Sequence, residues 1–214
     1  FTMSSCERTF EDLEKNPNSA VNAPASLVIQ GVESDLFNNN GRPFSAEMRW
    51  NQFYCSNYNY YATNEYTWTS GVNHYNTLKN VIKMEEEAKR AGLADVNGYS
   101  ALGKFFRAFL YYEMTTRMGD LPLSEALKGL ESSTPKYDSQ KAIFVQILKW
   151  LEESNTDMAA LITKGETSVT GDFYFGGDIR KWQKVVNAYK LRILVSLSKK
   201  DTDADLGVRL NLLK

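Results

Sequence analysis

Apolar positions recur at three- and four-residue spacings through most of the chain, the period of an amphipathic helix. Over residues 72–91 the expected face is Tyr75, Leu78, Val81, Ile82 and Ala88, with Gly92 as the stop. Glu85, Glu86 and Glu87 fall on the side expected to be solvated. Over 99–118 the face is Leu102, Phe105, Phe106, Phe109 and Leu110, widened by Ala101, Ala108, Tyr112 and Met114. A face that wide predicts neighbours on two sides. Residues 139–162 carry Phe144, Ile147, Leu148, Leu151, Met158 and Leu161, and 179–197 carry Trp182, Val185, Val186, Tyr189, Ile193 and Leu197. Upstream, Pro24 suits the first turn of a helix bearing Leu27, Val28, Val32 and Leu36, and a further helix is expected over 45–55.

These elements predict an all-α chain built from two antiparallel helical hairpins, 72–118 and 139–197, joined by long irregular loops. The arrangement suits tetratricopeptide-like stacking, although no strict repeat of about 34 residues is visible. An irregular helical bundle fits the periodicity equally well. Between the hairpins stands a joint, Gly119-Asp120-Leu121-Pro122, where glycine stops a helix cheaply and proline prevents its resumption. Asp138 is expected to cap the next helix. The organisation read from this is a polar tail and linker over 1–23 and a helical domain over 24–214. A new apolar segment starts after the polar loop 199–206 and stops at Lys214, so the domain is expected to be truncated at its C-terminal side.

Composition narrows the partners. With 214 residues and a formal net charge of -1, nothing electrostatic favours nucleic acid or an anionic membrane surface. No apolar run approaches the roughly 18 residues a spanning helix needs. Of the two cysteines, Cys55 reads as a small buried hydrophobe. Cys6 follows the small polar Ser4-Ser5, as a thiol marked for lipid attachment would, with 1–5 as the remnant of a signal peptide. An ordinary exposed cysteine, or a disulfide to Cys55 in an exported protein, also fits.

Candidate chemistry is sparse, and no catalytic residue is assigned. The single histidine, His74, sits at a helix start, where capping or packing is the expected role. No metal site or cofactor is expected: Gly176-Gly177 lacks the Lys-Ser/Thr of a phosphate loop. An Asp–Glu pair able to hydrolyse glycosides would have to form in space, since no spacing singles one out.

The positive signal is aromatic. From Trp50 to Tyr75, nine of twenty-six positions are Trp, Tyr or Phe, interleaved with neutral amides. Rings stack on the apolar faces of pyranoses while amides serve hydroxyls as donor and acceptor. The expected ligand contacts are Trp50, Tyr54, Tyr58, Asn59, Tyr60, Tyr61, Tyr66 and Trp68. Trp50, Phe53 and Tyr75 could equally be core, and the same mixture suits peptide or protein contact.

The wording of several segments resembles the SusD/RagB family of outer-membrane nutrient-binding lipoproteins. Leu-Glu-Lys-Asn-Pro-Asn at 13–18 is similar to the family's start after its lipid-bearing cysteine. The joint with Leu123-Ser124-Glu125-Ala126 resembles Gly-Asp-hydrophobic-Pro-Tyr-Ser-Glu-Ala, with Leu123 in place of the usual Tyr. Pro135 to Gln140 reads Pro-Lys-Tyr-Asp-Ser-Gln, as in the family. Gly177-Asp178, Lys181-Trp182, Asn187 and Leu191-Arg192 resemble its later Gly-Asp…Lys-Trp…Asn…Leu-Arg element, with Val186 where Ala is common. The resemblance implies a lipid-anchored protein at the cell surface of a Gram-negative outer membrane, with no enzymatic activity. Its implied partners are a SusC-like TonB-dependent transporter and an oligosaccharide, or in some branches a peptide. It also implies a longer C-terminal part that helps form the ligand site. A helical scaffold whose aromatics touch only protein is the competing expectation.

Overall fold

The computed structural model describes residues 22–39, Met48, 51–53, 73–200 and 202–208. Among them are five α-helices and no strand: α1 (Ala25–Asn39), α2 (Tyr75–Arg90), α3 (Gly98–Met118), α4 (Gln140–Lys164) and α5 (Ile179–Ser196). Each packs mainly on its neighbour in chain order, α1 on α2, α2 on α3, α3 on α4 and α4 on α5. A closed bundle would also set α1 substantially against α5, and it does not. The architecture is an all-α, tetratricopeptide-like stack of antiparallel hairpins.

The central helix explains the stack. In α3, Leu102, Phe106, Leu110 and Met114 form a fully buried stripe at four-residue spacing. Ala101, Phe105, Ala108 and Tyr112 make a second buried line beside it. Burying each large side chain contributes about 1.5–3 kcal/mol, so a helix buried along two lines holds both neighbours. Its start is fixed by Asn97, whose side chain accepts from the backbone amides of Tyr99 and Ser100 while Ser100 Oγ accepts from Asn97 N. This reciprocal arrangement satisfies three amides that would otherwise lie open at the helix start. Ser154 of α4, fully buried, donates to the Ala101 carbonyl at 2.7 Å. The small side chains at 101 and 108 suit such close approach between helices.

Three expectations need correction. Leu27 does not face the core of α1: it is 57% exposed, and Ile29 lies buried beside Val32 and Leu36. Pro24 starts the helix by accepting at its carbonyl from Leu27 N and Val28 N. The helix expected over 45–55 is contradicted at Asn51–Phe53, which form a turn with Gln52 at φ +61. The glutamate run of α2 is only partly solvated. Glu86 is exposed, but Glu85 pairs with Arg107 of α3, and Glu87 is buried with Lys83 at 3.1 Å and Arg90 at 2.5 Å. The reason is that α2 lies between α1 and α3, which cover both flanks of its outer face.

Candidate functional site

Two loops carry the local chemistry, the joint between α3 and α4 and the connection between α4 and α5. At the joint, Gly119 ends α3 at φ +81, a conformation glycine adopts without strain. Asp120 Oδ1 then accepts from Gln140 N at 2.8 Å, reaching across to the start of α4. Asp138 does not cap that helix. Ser139 does, accepting from Ala142 N, while Asp138 Oδ2 accepts from Leu123 N and Ser124 N at 3.0 and 2.7 Å. Those backbone donors hold its carboxyl below the usual range. A one-residue shift in the cap frees Asp138 to fold the Pro122–Ser124 turn back on itself.

Tyr75 of α2 and Tyr111 of α3 both donate to the Pro122 carbonyl, at 2.7 and 3.3 Å, and meet edge to face. Burial pushes the Tyr75 phenol up to about 12 and raises Tyr111 as well. Tyr75→Phe is expected to cost about 1 kcal/mol and Tyr111→Phe less, since its bond is longer. Chemical denaturation of both variants checks this order. The joint is therefore a structural clamp, in which Asp120, Glu125 and Asp138 each accept from backbone amides.

His74 precedes α2 and is buried. Its backbone N donates to Met114 Sδ at 3.4 Å, and burial, aided by Arg117, holds its imidazole below its ordinary value. The packing role expected for it fits this position.

The α4–α5 connection is built around Asp172. Its Oδ2 accepts from Gly177 N at 2.7 Å and from the Trp182 indole Nε1 at 2.9 Å, and its Oδ1 accepts from Tyr174 N at 2.9 Å. Phe175 N points at the same carboxylate. Here the loop meets α1. Glu33 of α1 has no exposed surface; its Oε2 accepts from Phe173 N at 2.9 Å, and its backbone carbonyl accepts from the Tyr174 hydroxyl at 3.3 Å. Gly171, at φ +97, lies so close that an added Cβ would stand 2.1 Å from the Ser26 carbonyl oxygen. Asp172 directly precedes Phe173, whose amide serves Glu33, so the loop brings the two carboxyls to one place. Desolvation and the neighbouring Asp172 push Glu33 up to about 8, whereas Asp172 is held low by hydrogen bonds to Glu33 and Trp182 that outweigh its own burial.

A carboxyl pair with its two pKa values driven apart is the pattern of an acid and a base in catalysis. The geometry decides otherwise. Glycoside hydrolysis needs carboxyls roughly 5–9.5 Å apart with a sugar between them. Glu33 and Asp172 are both buried beneath the loop, whose own amides donate to each, so no sugar reaches a space between them. The pair fastens a loop to a helix.

That loop displays an aromatic pair that sequence periodicity did not single out. Phe173 and Tyr174 stack at 5.0 Å between centroids, 28° from parallel, and are 52% and 39% exposed. The signal was present as Phe173-Tyr174-Phe175 between two acidic residues, Asp172 and Asp178. The expected ligand contacts Trp50, Tyr54, Tyr58, Asn59, Tyr60, Tyr61, Tyr66 and Trp68 lie outside the described residues, as do Cys6 and Cys55. A cleft of about 300 Å3 opens between Pro24, Ala25, Ala88, Leu93 and Tyr99, and another of about 340 Å3 between Val145, Leu148, Lys190 and Leu206. Neither gathers more than one aromatic ring, so neither resembles a sugar-stacking site. No helix of the described residues is long and apolar enough to cross a membrane.

Among the described residues, a stack of helical hairpins held by structural joints defines the class: a tetratricopeptide-like helical scaffold. The SusD-like family described as starch-binding and associating with the outer membrane matches residues 17–209, and the chain belongs to that family. It is similar to three solved structures. One is an outer-membrane protein of Bacteroides vulgatus associated with nutrient binding, at 33% identity over 84% of this chain and 37% of that one, with a TM-score of 0.66. The others are SusD homologues of Bacteroides fragilis. The first has 34% identity over 82% and 36% of the two chains with a TM-score of 0.64, and the second 31% over 87% and 39% with 0.69. The chain thus spans less than two fifths of the length of these relatives. No curated protein matches it.

Proposed function

We propose that this chain is the helical part of a cell-surface binding protein that captures oligosaccharides and delivers them to a SusC-like TonB-dependent outer-membrane transporter. Its family, described by starch binding and outer-membrane association, is the observation that carries the proposal. The nutrient-binding association of the Bacteroides vulgatus relative points the same way. Cys6 is the proposed lipid-attachment residue and the sole membrane contact. The aromatic and amide-rich stretch from Trp50 to Trp68 is the proposed glycan contact, with Tyr58, Asn59, Tyr60 and Tyr61 at its centre. The function proposed is capture without chemistry, and in the described loops Asp120, Asp138 and Asp172 serve as acceptors for backbone amides.

Titration with an oligosaccharide panel, followed by tryptophan fluorescence, tests the proposal. Tyr60→Ala and Trp68→Ala are each expected to weaken binding about tenfold, or about 1.4 kcal/mol, with helical content unchanged. Equal affinity in both variants would remove the stretch from the site. Release of shortened sugars from the same panel would replace capture with hydrolysis.

A further inference from the structure

We infer that Glu33 and Asp172 share one proton, and that this proton latches the 171–177 loop, with its exposed Phe173–Tyr174 pair, onto α1.

The donors around the two carboxyls leave a place for one hydrogen between them. Oε1 of Glu33 is buried and accepts from no donor among the described residues, while Oε2 is already served by Phe173 N. Asp172 is occupied by three backbone amides and the Trp182 indole, all of them donors that favour its charged form. Two ionised carboxylates in contact would repel in a site without bulk water. One proton, held on Glu33 and donated to Asp172, resolves both the empty oxygen and the repulsion. The loop presents only Asp172 and the Tyr174 phenol to Glu33 as ionisable groups. Among the described residues, α2 and α5 contribute no charge acting on Glu33; what α5 brings is the neutral Trp182 indole on Asp172.

The latch joins parts of the chain about 140 residues apart, through the bond from Phe173 N to Glu33. Loss of the proton sets a charge on Glu33 against Asp172 and strains the contacts beside it. Those are the Tyr174 hydroxyl on the Glu33 carbonyl and the close approach of Gly171 to Ser26. The aromatic pair is then released from α1 while the helices remain.

The sign follows from linkage. In the folded chain Glu33 holds its proton up to about pH 8, and in the unfolded chain only to about 4.5. Between these values the folded state binds the extra proton, so the group's stabilisation is full below 4.5 and is lost as pH rises to about 8. Its contribution to the unfolding constant grows by up to about tenfold per pH unit across that window. Glu33→Gln keeps an acceptor for Phe173 N and a permanent donor for Asp172, and it does not titrate.

The test compares unfolding constants of the full chain and of Glu33→Gln from pH 5 to 9, with hydrogen-exchange protection of the Phe173, Tyr174 and Gly177 amides. Expected is a wild-type slope absent from the variant, with protection falling above pH 8 in the wild type alone. Identical pH profiles for the two proteins would overturn the latch. Should the variant fail to fold, carbonyl NMR of the Glu33 carboxyl decides: titration near 8 supports the shared proton, and titration near 4.5 refutes it.

Discussion

Replacing Asp172 with alanine is expected to destabilise the chain by about 3–5 kcal/mol, because a buried donor left without its acceptor costs about 1–3 kcal/mol. The variant abandons Gly177 N and the Trp182 indole, both in buried bonds, together with Tyr174 N at a partly exposed edge. Water reaches the last of these more readily, so the larger share of the loss falls on the first two. Asp172→Asn is the informative control. It keeps one acceptor oxygen and gains a donor that can face Glu33. The amide therefore removes the neighbouring charge, and the upward shift of Glu33 should shrink. Urea denaturation of the three proteins should rank wild type above Asp172→Asn and Asp172→Ala last, with similar slopes. A loss under 1 kcal/mol for the alanine variant would mean that the loop opens freely and that Asp172 holds little together.

Much of this architecture is legible in the sequence, for reasons that differ from element to element. Helices α2 to α5 announce themselves because their burial is periodic and their ends carry local signals, such as Gly92, Gly119 and Pro122. A cap is a matter of one residue, and there composition misleads: Asp138 and Ser139 are both good caps, and the backbone hands the role to Ser139. The phase of α1 was ambiguous because Leu27, Val28 and Ile29 are consecutive apolar residues, and only contact with α2 selects Ile29. The solvated reading of Glu85 and Glu87 failed because a neighbour covering the flank of a helix leaves no trace in that helix's own period. Least legible is the Glu33–Asp172 pair. No periodicity relates residues so far apart, and an acidic residue on an amphipathic helix ordinarily marks the solvent side. The aromatic stretch from Trp50 to Trp68 had the opposite character, with composition suggestive of binding and no period to place it.

Trp182→Ala should rank with Asp172→Ala among the most damaging single changes in the described core, for a different reason. The indole is 4% exposed and meets Phe105 and Phe106 of α3 at 5.6 and 5.7 Å, and Phe175 and Tyr174 of the loop at 5.0 and 6.2 Å. It is the side chain through which α5, α3 and the Asp172 loop share one packing unit. Truncating a buried Trp to Ala costs about 3–5 kcal/mol through lost transfer energy and the cavity left behind. At about 2–4 °C per kcal/mol for a chain of this size, the melting temperature should fall by roughly 6–20 °C. Trp182→Phe separates packing from hydrogen bonding. It retains a ring against Phe105 and Phe106 but leaves Asp172 without its indole donor, for an expected loss of about 1–3 kcal/mol. Loss of a donor also makes the Asp172 charge less comfortable, so the proton shared with Glu33 should be held less unequally between the two carboxyls. Thermal melts of both variants across pH therefore read packing from the size of the drop and the hydrogen bond from its pH dependence. If phenylalanine proves as damaging as alanine, the indole N–H, and not the ring, is what binds α5 to the loop.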